Sequence, residues 1–212
     1  IGRGVRLGTW CSCRYLPNAG LLRRRAQRYT GKGLVVGDPQ GNLPFAREEA
    51  EYVYRCLPAR LLCGRAATRA SVLKAIRKAS IVHMACHGTW NPEHPDISGL
   101  EMADGRLGVW DLFGQDLSHV QLLFLMSCDT GRVRVTGNEL TGPAIMALGA
   151  GCRNVIEAVT PVSDAVTKEF AQNFHVFMSA GEPPADAFSC ALSMMKTSGI
   201  PFLQYAAIRM IG

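Results

Sequence analysis

The chain has 212 residues, of which 48% are hydrophobic and 19% are charged. This length predicts one large domain or at most two small ones, and the composition is too apolar for a disordered chain. The apolar run from Leu122 to Met126 is far shorter than a membrane span, so we expect no transmembrane helix and no membrane partner.

The net charge of +6 is concentrated at the beginning of the chain. Residues 1–30 hold seven arginines and no acidic residue, so the rest of the chain is close to neutral. A nucleic-acid-binding domain would carry a basic face on its folded part, so we expect no nucleic-acid partner. Because the sequence begins at Ile1 without a signal segment, we expect a piece of a longer protein. Residues 1–30 would be a basic connecting segment and residues 31–212 the folded domain.

Eight cysteines are spread irregularly along the chain. Several lie in apolar surroundings, where a free thiol packs as a small hydrophobic side chain: Cys56, Cys63, Cys152 and Cys190. We therefore expect a reducing compartment and a cytoplasmic location rather than a disulfide framework.

Short apolar runs alternate with amphipathic segments from residue 31 onward. The run at 34–36 ends at Gly37-Asp38-Pro39, which is typical of a buried strand that enters a turn. The next segment places Ala50, Val53, Tyr54 and Leu57 at helical spacing among acidic residues, which predicts a first helix. The pattern then predicts, in chain order, a strand at 60–63, a helix at 68–78, a strand at 80–85, a hairpin at 99–105, a strand at 121–127, a helix at 139–148, a strand at 154–159, helices at 165–178 and 184–197, and a strand at 205–210. This alternation predicts an α/β fold in which helices cover both faces of a mostly parallel central sheet.

Reactive side chains follow two of these predicted strands. In parallel sheets such groups collect beyond the carboxyl ends of the strands. The strand at 80–85 is followed by His87 and Gly88, and the strand at 121–127 by Cys128. If the two strands are neighbours, His87 can take the proton of Cys128 and the thiolate can attack a peptide carbonyl, while the N–H groups of Gly88 and Cys128 stabilise the oxyanion. The alternative is a loop histidine and a buried thiol with no catalytic role.

Several segments of the sequence resemble the CHAT-domain family. Its members are caspase-like cysteine peptidases, related to separases and clostripain-like enzymes and often fused to tetratricopeptide repeats. The similar segments are Gly37 to Ala50, Ile81 to Gly88, Leu123 to Gly131, Gly149 to Cys152, Thr160 to Thr167 and Tyr205 to Ile208. The resemblance covers roughly residues 34–212 and implies a caspase-like three-layer fold and a peptidase domain at 31–212.

By this resemblance, His87 is the catalytic histidine, Cys128 the nucleophile and Gly88 an oxyanion donor. The sequence departs from the family pattern where Cys86 replaces a common threonine and where Thr160 replaces a tryptophan. Neither departure removes a reacting group, although the second bears on the shape of the substrate pocket.

Asp164 has two interpretations. In the separase-like relatives an acidic residue of the corresponding segment faces the P1 side chain, which implies that Asp164 selects Arg or Lys before the scissile bond. Alternatively, Ser163 or Asp164 caps the helix that follows.

Other kinds of site are less well supported by the sequence. His83 and His87 are four residues apart and Cys86 and Cys128 are candidates nearby, but zinc motifs such as CxxC or HExxH are absent, so we expect no metal and no cofactor. His83 lies within an apolar strand and is predicted to be a packed core histidine. Arg132 and Arg134 follow the nucleophile and would suit self-cleavage if the P1 preference is basic.

The sequence therefore predicts a cysteine endopeptidase that acts on protein substrates through His87 and Cys128. An upstream tetratricopeptide-repeat domain or another partner is expected to regulate it. Two alternatives remain open, a catalytically silent scaffold for protein interactions and a thiol enzyme that acts on a small ester or amide.

Overall fold

The computed structural model describes residues 31–91, 93–127, 134–136 and 139–212. The predicted connecting segment at 1–30, the predicted nucleophile Cys128, and Asp129 and Arg132 lie outside the described residues. In chain order the elements are β1 (Gly33–Gly37), α1 (Pro44–Cys56), β2 (Ala59–Cys63), α2 (Arg69–Ile76), β3 (Ile81–Ala85), β4 (Gly88–Thr89), β5 (Gly99–Met102), β6 (Gly105–Gly108), α3 (Val109–Phe113), β7 (Leu122–Leu125), β8 (Arg134–Thr136), β9 (Glu139–Thr141), α4 (Pro143–Gly149), β10 (Val155–Ala158), α5 (Asp164–Ser179), α6 (Pro184–Thr197), α7 (Phe202–Ala206) and β11 (Ile208–Ile211).

Six strands form a central sheet in the order β11-β10-β7-β3-β1-β2. The strand β11 is antiparallel to β10, and the other neighbouring pairs are parallel. The strands that precede His87 and Cys128 are direct neighbours, because β3 pairs with β7 in a register that sets Met84 opposite Leu125. Both strands therefore end at the same edge of the sheet, which confirms that they are neighbours, as the predicted dyad requires.

Helices cover both faces of this sheet. Successive side chains of a strand point to opposite faces, and β3 and β7 are buried on both. Val82 and Met84 pack into the cluster that includes α2 and α4, whereas Leu122 and Phe124 pack into the cluster that includes α1, α5 and α6. The predicted three-layer α/β architecture is confirmed. No helix in the described part of the chain is long and apolar enough to cross a membrane.

Two short sheets accompany the central one. The predicted hairpin at 99–105 is confirmed as β5 and β6, and β4 joins it to form a three-stranded sheet. The helix predicted at 139–148 is wrong at its beginning, because Glu139–Thr141 form β9, paired with β8, and α4 begins at Pro143. Proline suits the first turn of a helix, where its missing N–H would have no partner, so the helix begins there.

The strand predicted at 205–210 is wrong at its beginning. Tyr205 lies in the short helix α7, which directly follows Pro201, and the strand β11 begins at Ile208. The run from 205 to 208 is apolar without a break in the sequence, so hydrophobicity alone does not place the boundary between helix and strand.

Candidate active site

A cleft of about 130 Å³ lies at the carboxyl edge of the central sheet. His87 lines it from the segment after β3, and Ser127 from the segment after β7. Thr160 contributes from the segment after β10, Glu49 from α1 and Asp164 from the first residue of α5. The structure thus brings His87 and Asp164 into one cleft, together with the residue that precedes Cys128.

The ring of His87 is held by a side chain that sequence reasoning missed. His87 Nε2 lies 3.2 Å from Oδ1 of Asn42, in the loop between β1 and α1. An amide oxygen only accepts hydrogen bonds, so Nε2 donates in this contact, and in the neutral ring Nδ1 then carries the lone pair. This tautomer leaves Nδ1 as the basic nitrogen of the ring.

The loop that carries Asn42 is fixed to the end of β3 through Asp38. The Asp38 N–H donates to Ala85 O at 2.9 Å, and Asp38 Oδ1 accepts from the Leu43 N–H at 2.9 Å. Asp38 has a φ of 45°, a left-handed conformation that aspartate tolerates better than most residues. These contacts set Asn42 beside the segment that leaves β3.

Gly88 is placed at the beginning of β4, next to the cleft-lining histidine. The Glu101 N–H donates to His87 O at 2.9 Å, so His87 and Glu101 form a hydrogen-bonded pair. Opposite residues in an antiparallel ladder alternate between hydrogen-bonded and non-hydrogen-bonded pairs, so the next pair, Gly88 with Leu100, is of the second kind. The Gly88 N–H therefore points away from β5.

Cys86 is the described thiol closest in sequence to His87. It is buried, and burial raises its pKa to about 12. Its Sγ lies 3.8 Å from Ser127 Oγ. Since only a thiolate is an effective nucleophile, Cys86 is chemically inert near neutral pH.

Asp164 is exposed and lines the cleft at the beginning of α5. Of the two capping candidates, Ser163 is the N-cap residue and makes no side-chain capping hydrogen bond, whereas Asp164 is the first residue of the helix itself. The N-cap is therefore not closed by either side chain in the way that the alternative required.

Glu49 is a second carboxyl of the cleft that sequence reasoning missed. It is buried, and burial together with the Asp164 charge raises its pKa to about 8. Its Oε1 lies 2.8 Å from His83 Nε2, and His83 Nδ1 lies 3.2 Å from His175 Nε2. The signal in the sequence was an acid on the apolar stripe of α1, between the buried residues Ala46 and Val53.

His83 and His175 are fully buried neighbours in the layer beneath the cleft. Burial lowers the pKa of His83 to about 3, and burial with the neighbouring His83 lowers the pKa of His175 as well. Both rings are therefore neutral at physiological pH. The prediction that His83 is a packed core histidine is confirmed. Within the described ranges, no group of three or more His, Cys, Asp or Glu side chains could hold a metal ion.

Comparisons with known proteins agree with this architecture. The family model described as the CHAT domain matches residues 7–202. Tetratricopeptide repeat protein 28 of Mus musculus is 27% identical over 84% of the chain, and its Homo sapiens counterpart is 25% identical over the same share. The chain spans only 9% of the length of these curated relatives.

Two solved structures share the fold. The Saccharomyces cerevisiae separase–securin complex superposes with a TM-score of 0.62 at 15% identity, covering 90% of this chain and 12% of the other. The Arg-specific cysteine proteinase gingipain R superposes with a TM-score of 0.63 at 11% identity, covering 87% of this chain and 46% of the other. The three-layer α/β fold is therefore caspase-like, as the resemblance implied.

Proposed function

We propose, since the chain belongs to the CHAT-domain family, that it is a cysteine endopeptidase in which Cys128 is the nucleophile and His87 the general base. The observation that carries the proposal is the meeting of His87 and Ser127 in one cleft at the ends of adjacent parallel strands. Cys128 directly follows Ser127 in the sequence.

In the proposed reaction, Nδ1 of His87 accepts the proton of the Cys128 thiol, and the thiolate attacks the carbonyl carbon of the scissile bond. Asn42 keeps the ring oriented through Nε2. The N–H groups of Gly88 and Cys128 stabilise the oxyanion, and the imidazolium then gives its proton to the leaving amine. A water molecule, deprotonated by His87, hydrolyses the acyl-enzyme and restores the thiol.

The proposed P1 preference is basic. Asp164 and Glu49 both line the cleft, and no Lys or Arg of the described chain lines it with them. A cationic P1 side chain would enter a site that offers two carboxyl groups and no described competing cation. This agrees with the role that the resemblance implies for Asp164.

A chemical probe tests the proposal. An acyloxymethyl ketone peptide with Arg at P1 should label the wild-type protein once, and peptide mapping should find the label on Cys128. The variant Cys128→Ala should lose both labelling and peptide hydrolysis. The matched control Cys86→Ala removes the thiol beside His87 and should keep both, because that thiol is buried with a pKa of about 12.

The same experiment has an outcome that overturns the proposal. Absence of labelling by probes with Arg, Lys or neutral P1 residues would leave the silent interaction scaffold as the function of the domain. Labelling by a small ester probe alone would indicate the non-proteolytic thiol enzyme.

We also propose that a protein partner controls access to the cleft. The name of tetratricopeptide repeat protein 28 indicates repeats, and this chain corresponds to 9% of the length of that protein. Separase was solved in complex with securin. The expectation that an upstream repeat domain regulates the peptidase rests on these two relatives.

A further inference from the structure

Glu49 is a buried ionisable group of the cleft that takes no part in the proposed reaction steps. It lies on the buried face of α1, where an acid replaces the apolar side chain that the helix stripe otherwise carries. Burying a carboxyl group costs free energy unless the group is hydrogen-bonded or paired. Glu49 lines the cleft together with Asp164, so a bound substrate is a candidate partner for its carboxyl group.

The hydrogen bonds of Glu49 leave one of its oxygens to the cleft. Oε1 contacts His83 Nε2 at 2.8 Å, and no hydrogen bond joins Oε2 to another described residue. Among the described residues, the fully buried side-chain nitrogen and oxygen atoms without a hydrogen-bond partner are Trp90 Nε1 and His175 Nδ1. Glu49 Oε2 is not among them, so it keeps a small accessible surface, and the residue lines the cleft.

The two histidines behind Glu49 are oriented so that they donate toward it. A buried N–H without an acceptor is rarer in proteins than a buried acceptor without a donor, so the unpartnered Nδ1 of His175 is best assigned as the nitrogen without a proton. His175 Nε2 then donates to His83 Nδ1 at 3.2 Å, and His83 Nε2 donates to Glu49 Oε1. The chain of donors holds the carboxyl in one rotamer and leaves Oε2 as its chemically active atom.

We propose that Glu49 is a specificity-determining residue of the substrate pocket, whose Oε2 receives the guanidinium of a P1 arginine while Asp164 contacts the same group nearer the mouth. The inference rests on the proposed peptidase function and deepens it by naming arginine over lysine. A guanidinium is planar and has five N–H donors, so it can contact two carboxyl groups at once, whereas an ammonium is a single point charge.

The ionisable groups that face Glu49 come from α5, from β3, which carries His83, and from the segment that follows β3. From α5, the Asp164 charge disfavours ionisation of Glu49, and Lys168 favours it. Lys168 is already paired with Glu48, Nζ to Oε2 at 2.6 Å. From the segment after β3, the Cys86 thiol is neutral at physiological pH.

The other strands packed on α1 direct their polar groups elsewhere. Asp38, after β1, pairs with Arg47 Nε at 3.5 Å, and Cys63 of β2 faces the charges of Arg47, Glu51 and Asp38. The ionisation of Glu49 is therefore governed by burial, Asp164 and Lys168.

The protonation of Glu49 makes substrate binding depend on pH. The empty pocket holds Glu49 protonated below its pKa of about 8. A bound guanidinium replaces that proton, which leaves to solvent, so binding of a P1 arginine should tighten as the pH rises from 7 to 9. A substrate with citrulline at P1 has the shape of arginine without its charge and should not show this dependence.

The experiment compares peptide substrates that differ only at P1, with Arg, Lys or citrulline. The variant Glu49→Gln keeps an amide oxygen for His83 and removes the charge. We expect it to raise KM for the Arg substrate at least about tenfold, to lower the Arg-to-Lys ratio of kcat/KM, and to abolish the pH dependence of KM. The matched control Glu51→Gln changes an exposed acid of the same helix that does not line the cleft, and it should leave all three unchanged.

The experiment distinguishes failure of the peptidase proposal from failure of the role of Glu49. A wild-type protein that accepts no acyloxymethyl ketone probe at Cys128 overturns the peptidase proposal and this inference with it. A wild-type protein that cleaves after Arg, with Glu49→Gln retaining the selectivity and the pH dependence, overturns the role of Glu49 alone. Should Glu49→Gln fail to fold, the pH dependence of KM for Arg against citrulline in the wild type tests the inference without a substitution.

Discussion

Asn42 and His87 are 45 residues apart in the sequence and meet at 3.2 Å in the cleft. If Asn42 orients the base, its loss should affect catalysis more than binding. Asn42→Ala leaves the ring of His87 free to rotate and to change tautomer, and we expect kcat to fall about 10- to 100-fold with little change in KM. Steady-state kinetics with an Arg substrate measure both.

A conservative variant separates orientation from a general structural effect. Asn42→Asp keeps an oxygen acceptor for His87 Nε2 and should recover most of kcat, and Gln115→Ala, at a surface hydrogen bond to Arg77, should leave it unchanged. Equal kcat in Asn42→Ala and the wild type would show that the contact does not position the base.

At the level of single residues, the sequence identified groups by type and missed groups that depend on the fold. His87 and Asp164 stand in recognisable segments, so their presence in one cleft was predictable. Asn42 was indistinguishable from other turn residues, since its function depends on a contact 45 residues away. Glu49 was grouped with the neighbouring acids of α1, although its spacing from Ala46 and Val53 places it on the buried face of the helix.

At the level of elements, most strands were predictable because parallel strands buried on both faces are short apolar runs. The runs that became β1, β3 and β7 are bounded by glycine, polar residues or turns. The boundaries at β9 and α7 were not predictable, because short segments of mixed propensity take the structure that their neighbours allow. Pairing with β8 makes Glu139–Thr141 a strand, and Pro201 precedes the short helix that includes Tyr205.

The strand β7 makes a prediction about the stability of the layer beneath the cleft. The Phe124 ring is fully buried, 4.4 Å from the His83 ring and 6.0 Å from the Phe170 ring, measured between centroids. Phe124→Leu removes these ring contacts, and we expect it to lower the free energy of unfolding by about 1–2 kcal/mol.

Urea denaturation followed by circular dichroism measures this change. The matched control Phe202→Leu alters a ring that is 41% exposed and should cost less than about 0.5 kcal/mol. Equal losses in the two variants would contradict the assignment of Phe124 to the centre of the core.

At the level of the whole molecule, a hydrogen-bonded row of three buried titratable groups couples the cleft to the core layer between the sheet and α5. Glu49 opens to the cleft, His83 lies on β3 and His175 on α5, and hydrogen bonds join them in that order. A change of protonation at any of them acts on the packing of sheet and helices together, so the cluster should set the pH at which the fold is most stable.

The direction of the effect differs between the acid and the histidines. The pKa of His83 is about 3 in the folded chain against 6.5 ordinarily, and the pKa of His175 is lowered as well. Between the folded and the ordinary values, the unfolded chain binds more protons than the folded chain. The free energy of unfolding therefore decreases as the pH falls below 6.5. The pKa of Glu49 is raised from 4.5 to about 8, so the folded chain binds more protons in that window and stability falls as the pH rises toward 8.

These opposing slopes predict that the cluster contributes most to stability near pH 6.5, where loss through the histidines begins on the acid side. Urea denaturation at intervals from pH 4 to pH 9 should show the free energy of unfolding decline on both sides of that value. His175→Leu removes one of the two neutral rings and should reduce the acid-side slope by about 1.4 kcal/mol per pH unit, because one fewer proton is taken up on unfolding. An acid-side slope that is identical in His175→Leu and the wild type would show that His175 is not held neutral by burial, and the donor chain toward Glu49 would then need a different arrangement of protons.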